Sequence, residues 1–107
     1  FIYIKDAVKM TLFFLENPNI GGIFNIGAGH SRNWKDLAIN IFKAMGREPQ
    51  IEYISMPEKI LHQYQYHTCA DIQKIRDAGY TQSITSLEDG ITDYVKNYLV
   101  SNKRLGN

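Results

Sequence analysis

Apolar residues recur at helical spacing in the middle of this chain. Six of them fall at i, i+3, i+4, i+7, i+8 and i+11: Trp34, Leu37, Ala38, Ile41, Phe42 and Met45. Such a stripe predicts a helix with one buried face. Asn33 and Asp36 precede it at capping-box spacing, and Gly46 is placed to end it in a left-handed conformation.

A second apolar stripe lies near the C-terminus and comprises Leu87, Ile91, Tyr94, Val95, Tyr98 and Leu99. It predicts the last helix. Either Thr85, paired with Glu88, or Ser86, paired with Asp89, can cap this helix, and the sequence leaves both alternatives open. The polar residues 101–107 that follow predict a frayed tail.

Two further helices are predicted. The first covers residues 7–16, with Asp6 as its cap. Its apolar residues surround most of its circumference, and such a helix is normally buried on more than one side. A shorter helix is predicted from Asp71, as its cap, to Ala78, with Gly79 as its stop.

Three short runs rich in β-branched and aromatic residues, 1–4, 23–26 and 51–54, predict strands. Between the last of these and the short helix, residues 58–68 show no clean period and are dense in His, Gln and Tyr. The order β-α-β-α-β-loop-α-α predicts an α/β fold.

The composition limits the possible functions. With 107 residues, the chain has the length of one small domain or of part of a larger one. Its net charge of +1 is scattered without a lysine or arginine run, so we expect no nucleic acid partner. The longest mostly apolar run, 8–15, is far shorter than the roughly 20 residues that span a bilayer. The single cysteine, Cys69, cannot form an internal disulfide, which fits a reducing cytosol.

Two groups of residues suggest a nucleotide-binding loop and a metal site, but their spacing supports neither. The sequence Gly27-Ala28-Gly29 lacks the third glycine of a dinucleotide-binding loop, because Arg32 occupies that position. A tight turn that needs a positive φ is the better interpretation. His62, His67 and Cys69 match no common zinc spacing and have no evident fourth ligand. We therefore predict no cofactor-binding residue and no metal site.

Tyr64 is the candidate substrate-binding residue. It lies in the Tyr64-Gln65-Tyr66 segment, where a phenol can stack against a ring and donate a hydrogen bond from its rim. Gln65 adds both a donor and an acceptor. The alternative is that these rings only close the core beneath a long loop, and for Tyr66 we favour that alternative.

Four segments, in order, resemble motifs of the extended short-chain dehydrogenases/reductases, within the NAD-dependent epimerase/dehydratase family. They are 1–8 (FIYIKDAV), 22–29 (GIFNIGAG), 71–80 (DIQKIRDAGY) and 86–91 (SLEDGI). Together they cover nearly the whole chain. The resemblance implies a Rossmann-fold enzyme of which this chain is the C-terminal substrate-binding portion, lacking most of the Rossmann domain.

Further segments, 13–17, 22–25 and 50–57, resemble the nucleotide-sugar epimerases of that family that act on ADP-heptose. Tyr64-Gln65, a few residues before Thr68-x-Ala70-Asp71, extends the match. The resemblance implies NADP as cofactor, ADP-heptose as substrate, Tyr64 as a substrate contact, and a cytoplasmic homo-oligomer such as a pentamer. His30 and His67 depart from the family pattern, which often has Arg and Phe at these positions.

The catalytic residues are not expected in this chain. No tyrosine here starts the Tyr-x-x-x-Lys pair of the family, and that pair would lie upstream of Phe1. We expect a single fragment over 1–107, inactive alone, in which 1–20 packs on the Rossmann domain and 101–107 is a polar tail. Two alternatives stay open: a fragment of another nucleotide-sugar epimerase, dehydratase or reductase, and a non-catalytic binding module.

Overall fold

The computed structural model describes residues 1–104. In this part of the chain the α-helices are α1 (Ile4–Glu16), α2 (Trp34–Ala44), α3 (Glu58–Leu61), α4 (Gln73–Asp77) and α5 (Leu87–Tyr94). A π-helical segment, Val95–Leu99, continues α5 directly. Helix α2 packs against α5 and against this π-helical segment. The predicted tail is exposed over 101–104, and its remaining residues, 105–107, lie outside the described part.

Local capping signals define α2 and α5 as the sequence predicts. The Asn33 side chain accepts a hydrogen bond from the Asp36 backbone N–H at 2.7 Å. At α5, the Ser86 hydroxyl accepts from the Asp89 N–H at 3.0 Å, which decides between the two predicted caps. Gly46, with φ of +67°, follows α2 in the left-handed conformation that only glycine adopts without strain.

The prediction that Asp6 caps the first helix was wrong. Helix α1 begins at Ile4, after Tyr3 in an extended conformation, so Asp6 already lies in the first helical turn. Its fully buried carboxylate instead accepts from the Thr85 backbone N–H at 2.7 Å and from the Thr85 hydroxyl at 3.0 Å. These two bonds join α1 to the residues that lead into α5.

A second polar contact ties the same two helices together. Asp93 of α5 accepts a hydrogen bond from the Tyr3 hydroxyl and pairs with the Lys5 Nζ at 2.7 Å. The hydrogen bond from Lys5, with help from Tyr3, lowers the pKa of Asp93 to about 2. The start of α1 therefore has a fixed position against the last helix.

The apolar core is small. Its fully enclosed members are Met10 of α1, Ile75 of α4 and Tyr80 after α4. Partly buried apolar side chains surround them: Ile2, Phe13, Phe14, Phe24, Ile72 and Ile84. The radius of gyration of 16.9 Å exceeds the roughly 13 Å expected for a compact domain of this length. The chain thus has an extended shape with little interior.

One side of α1 is apolar and exposed. Ile4, Val8, Leu12 and Leu15 are 61%, 49%, 44% and 76% exposed. Their spacing of three and four residues places them on one face, opposite the buried Met10. We call this set the α1 outer face. The expected burial of this helix on more than one side is therefore not found within the described chain.

The three predicted strands were wrong, since residues 1–104 contain no strand. A strand needs a neighbouring strand to pair its backbone groups, and the contacts seen around 23–26 instead involve side chains. Around 23–26, Lys74 Nζ donates to the Ile23 carbonyl at 2.8 Å, and Asn25 Nδ2 donates to the Asp71 carbonyl at 3.1 Å. The described residues are thus helical and irregular, and the α/β class is not confirmed by them.

No helix within residues 1–104 is both long enough and apolar enough to cross a membrane.

Candidate functional site

Four aromatic side chains from separate parts of the sequence form a continuous surface. Phe1 and Trp34 meet edge to face with ring centroids 4.8 Å apart. The Trp34 indole N–H donates to the Tyr64 hydroxyl at 2.9 Å, and Tyr64 meets Tyr66 edge to face at 5.3 Å. We call Phe1, Trp34, Tyr64 and Tyr66 the aromatic cluster. All four are partly open to solvent, so their rings and rims can contact a ligand.

Tyr64, the predicted site residue, lies at the centre of this cluster. It is 37% exposed, with Trp34 on one side and Tyr66 on the other. Tyr66, which we expected to close the core, is instead 77% exposed. That expectation was wrong, since neither tyrosine is among the side chains that form or surround the Met10 core.

Trp34 also differs from its prediction as a core residue. It is 65% exposed, although Leu37 and Phe42 of the same stripe are partly buried. Trp34 is the first residue of α2, and two further residues of the stripe, Ile41 and Met45, are 37% and 45% exposed. The helical periodicity of the sequence assigns Trp34 to the buried face and therefore does not predict its contact with Tyr64.

The approach to α2 carries a charged network. Arg32 pairs with Glu88 of α5 through two hydrogen bonds, at 2.5 Å and 3.2 Å, and with Asp36 of α2 at 3.2 Å. The hydrogen bond from Arg32 lowers the pKa of Glu88 to about 2, and the same contacts raise the pKa of Arg32. Arg32, noted in the sequence only for replacing a glycine, thus links α2 to α5.

A cavity of about 400 Å³ lies next to this network. The first four residues of the chain line it, together with Ala28, His30, Arg32 and Leu37 and six residues between Thr85 and Tyr94. Its walls are mainly apolar, and its polar lining residues include His30, Arg32, Thr85 and Ser86. Phe1 belongs both to this cavity and to the aromatic cluster, so the two features adjoin.

The turn at Gly27-Ala28-Gly29 is tightly packed. A Cβ atom on Gly27 would lie 2.4 Å from the Ala70 Cβ, and one on Gly29 would lie 2.9 Å from the Ile72 Cδ1. Gly29 has φ of +80°, as predicted for a tight turn, whereas Gly27 is small because Ala70 approaches it. Both glycines therefore lie where a larger residue would clash with Ala70 or Ile72.

The His and Cys residues of the loop do not come together as metal ligands. His67 Nε2 lies 3.0 Å from the Ser31 hydroxyl, and Cys69 is exposed with a free thiol. Within residues 1–104, no group of three or more His, Cys, Asp or Glu side chains is arranged to hold a metal ion. His67 instead connects the tyrosine loop to the loop before α2.

Comparison with known proteins gives one consistent name. No family model matches the chain. The chain is 50% identical over 101 residues to the ADP-L-glycero-D-manno-heptose-6-epimerase of Nitratidesulfovibrio vulgaris, covering 94% of this chain and 31% of that protein. It is 41% identical over 105 residues to the protein of that name from Fusobacterium nucleatum subsp. nucleatum, covering 92% of this chain and 32% of the relative.

A third relative of the same name, from Cupriavidus pinatubonensis, is 35% identical over 108 residues, covering 88% of this chain and 33% of the relative. The chain therefore spans about one third of the length of the curated relatives it matches, and it corresponds to their C-terminal part. The resemblance to the epimerases that act on ADP-heptose is confirmed by the names of these relatives.

Proposed function

We propose that this chain is the substrate-binding part of an ADP-L-glycero-D-manno-heptose 6-epimerase. The parent enzyme would invert C6 of ADP-D-glycero-D-manno-heptose, with NADP as cofactor, for the lipopolysaccharide core. The observation that carries the proposal is the identity of 50%, 41% and 35%, over almost the whole chain, to three proteins with this name. In this proposal the chain is the C-terminal portion of an extended short-chain dehydrogenase/reductase.

Tyr64 would contact the nucleotide-sugar. Its phenol is the central member of the aromatic cluster, and its oxygen is held at 2.9 Å from the Trp34 indole nitrogen. The exposed rings of Phe1 and Trp34 offer a surface on which a flat base or the apolar face of a sugar can lie. This combination suits a ligand that has both an aromatic base and many hydroxyl groups.

The cofactor would be held by residues other than those described here. This supports the proposal: the turn at Gly27-Ala28-Gly29 lacks the third glycine of a dinucleotide-binding loop, since Arg32 occupies that position. The role of this chain would therefore be to bind and orient substrate, while hydride and proton transfer take place elsewhere in the parent enzyme. A homo-oligomer such as a pentamer, and a cytoplasmic location, remain predictions.

Residues 1–20 would pack on the Rossmann domain of the parent enzyme. The exposed α1 outer face supports this, because an apolar stripe of this kind on a free helix is unfavourable in water. We expect the isolated 107-residue chain to bind a hydrophobic dye or to self-associate. A monodisperse monomer of the isolated chain, with no dye binding, would contradict this domain assignment.

The proposal is tested with the full-length protein that carries this chain, assayed for epimerisation of ADP-heptose. We expect Tyr64→Phe to raise KM about tenfold, since a hydrogen bond to a polar or charged ligand is lost, and Tyr64→Ala to raise it further. Tyr53→Phe is the matched control, because Tyr53 is an exposed tyrosine outside the aromatic cluster. Unchanged KM and kcat in both Tyr64 variants would remove the assignment of Tyr64. Turnover of a UDP- or GDP-hexose, but not of ADP-heptose, would favour another nucleotide-sugar enzyme.

A further inference from the structure

The contact between Trp34 and Tyr64 has a defined direction. An indole N–H can only donate a hydrogen bond, whereas a phenol oxygen can accept one and still donate its own hydrogen. At the observed 2.9 Å, Trp34 must therefore be the donor and Tyr64 the acceptor. The hydroxyl hydrogen of Tyr64 is left free for a ligand.

Accepting this bond also changes the hydroxyl of Tyr64. Hydrogen bonds in a chain polarise one another, so a phenol that accepts from an indole becomes a better donor. The bond also limits rotation of the hydroxyl, since the hydrogen avoids the side on which the indole N–H lies. The ligand then meets a donor whose direction is already set.

Trp34 is itself held in place from two sides. It is the first residue of α2, whose start is fixed by the Asn33 cap, and its ring rests edge to face against Phe1. At 65% exposure it contributes little to the core. Its main described contacts are thus Phe1 and Tyr64, which favours a role at the site over a role in folding.

We propose that Trp34 is a positioning residue: its indole N–H orients the Tyr64 hydroxyl so that this hydroxyl donates to an acceptor oxygen of the bound nucleotide-sugar. This inference rests on the proposed function for the identity of the ligand. The oxygen that accepts this hydrogen bond belongs to the diphosphate or to the sugar of the ligand, and both kinds of oxygen can accept from a phenol. Binding of ADP alone, compared with binding of ADP-heptose, separates them.

The experiment is a double-mutant cycle in the full-length protein, with Trp34→Phe, Tyr64→Phe and the combined variant. Phenylalanine keeps an aromatic ring at position 34 but removes the N–H. We expect each single substitution to weaken ADP-heptose binding about two- to tenfold, the range for one net hydrogen bond. The combined variant should bind no worse than Tyr64→Phe alone, because Trp34 acts through Tyr64. Tyr53→Phe again serves as the control and should bind like wild type.

A spectroscopic readout tests the contact without any ligand. The indole N–H resonance of Trp34, assigned by its loss in Trp34→Phe, should move upfield in Tyr64→Phe, since the hydrogen-bond acceptor is gone. In catalysis, Trp34→Phe should raise KM while kcat stays near the wild-type value. A change in folding alone would not produce this combination of a local resonance shift and a KM effect.

Several outcomes would overturn the inference. An indole resonance that does not move in Tyr64→Phe means that the bond is absent in solution. If the losses of affinity in the two single variants add up in the combined variant, Trp34 contacts the ligand by itself. The same conclusion follows if Trp34→Phe binds with wild-type affinity while Trp34→Ala binds more weakly. A wild-type protein that binds neither ADP nor ADP-heptose rejects both the inference and the proposed function. One that binds ADP-heptose without turnover rejects only the epimerase assignment, and the cycle still decides the role of Trp34.

Discussion

The buried carboxylate of Asp6 should contribute more to stability than any other polar side chain in the described chain. It is fully buried and accepts two hydrogen bonds from Thr85, one from the backbone and one from the hydroxyl. Asp6→Ala removes both bonds and leaves two part-buried donors without an acceptor. Hydrogen bonds to a charged group contribute about 1.5–3 kcal/mol, and an unsatisfied buried donor costs about 1–3 kcal/mol. Because these terms overlap, we expect a total loss of about 2–4 kcal/mol.

Urea unfolding of the full-length protein measures this loss, and hydrogen exchange at the Thr85 amide reports on it locally. Thr85→Val removes only the hydroxyl bond and should cost about 1 kcal/mol. Asp71→Ala is the matched control, since the exposed Asp71 accepts a single backbone bond from Gln73 at 2.9 Å. If Asp6→Ala cost less than about 0.5 kcal/mol, the level of an ordinary surface change, the reasoning would be refuted. The same holds if the Thr85 amide kept its protection in that variant.

Two further predictions concern close packing and charge. Gly27→Ala should destabilise the protein by about 1–3 kcal/mol, because the new Cβ would lie 2.4 Å from the Ala70 Cβ. Gly21→Ala is the control and should not destabilise it, since a Cβ at Gly21 would have no atom within 4 Å. Thermal unfolding compares the stability of the two variants. Arg32→Gln should return the pKa of Glu88 from about 2 toward its ordinary 4.5, measured by carboxyl NMR titration. Because the pKa of Glu88 is depressed, the Arg32–Glu88 pair stabilises the fold above about pH 4.5, and this contribution is lost as the pH falls toward 2. Between pH 4.5 and 2, Arg32→Gln should therefore lose less stability than the wild-type protein. An unchanged Glu88 pKa, or equal stability of the two glycine variants, would contradict these expectations.

The motifs along the sequence were enough to show which protein families the chain resembles. The segments around Phe1, Gly27, Asp71 and Ser86 pointed to the extended short-chain dehydrogenases/reductases, and 13–17, 22–25 and 50–57 pointed to the epimerases that act on ADP-heptose. The chain is 50% and 41% identical to two proteins named ADP-L-glycero-D-manno-heptose-6-epimerase. Tyr64 was singled out first by the chemistry of the Tyr64-Gln65-Tyr66 segment and then by the resemblance, and the structure adds the partners of its ring and hydroxyl. The contact of Trp34 with Tyr64 could have been anticipated only by asking whether the first residue of a helix reaches the core.

The sequence alone determined the helices whose signals are local. Asn33 with Asp36, and Ser86 with Asp89, cap α2 and α5 because at a helix start the capping side chain and the backbone N–H three residues later are within hydrogen-bond reach. Tertiary structure decided everything that depends on a distant neighbour. Short apolar runs become strands only beside another strand, and none lies beside them in residues 1–104. Asp6 is bound to Thr85 rather than to its own helix end because folding brings together two residues 79 positions apart.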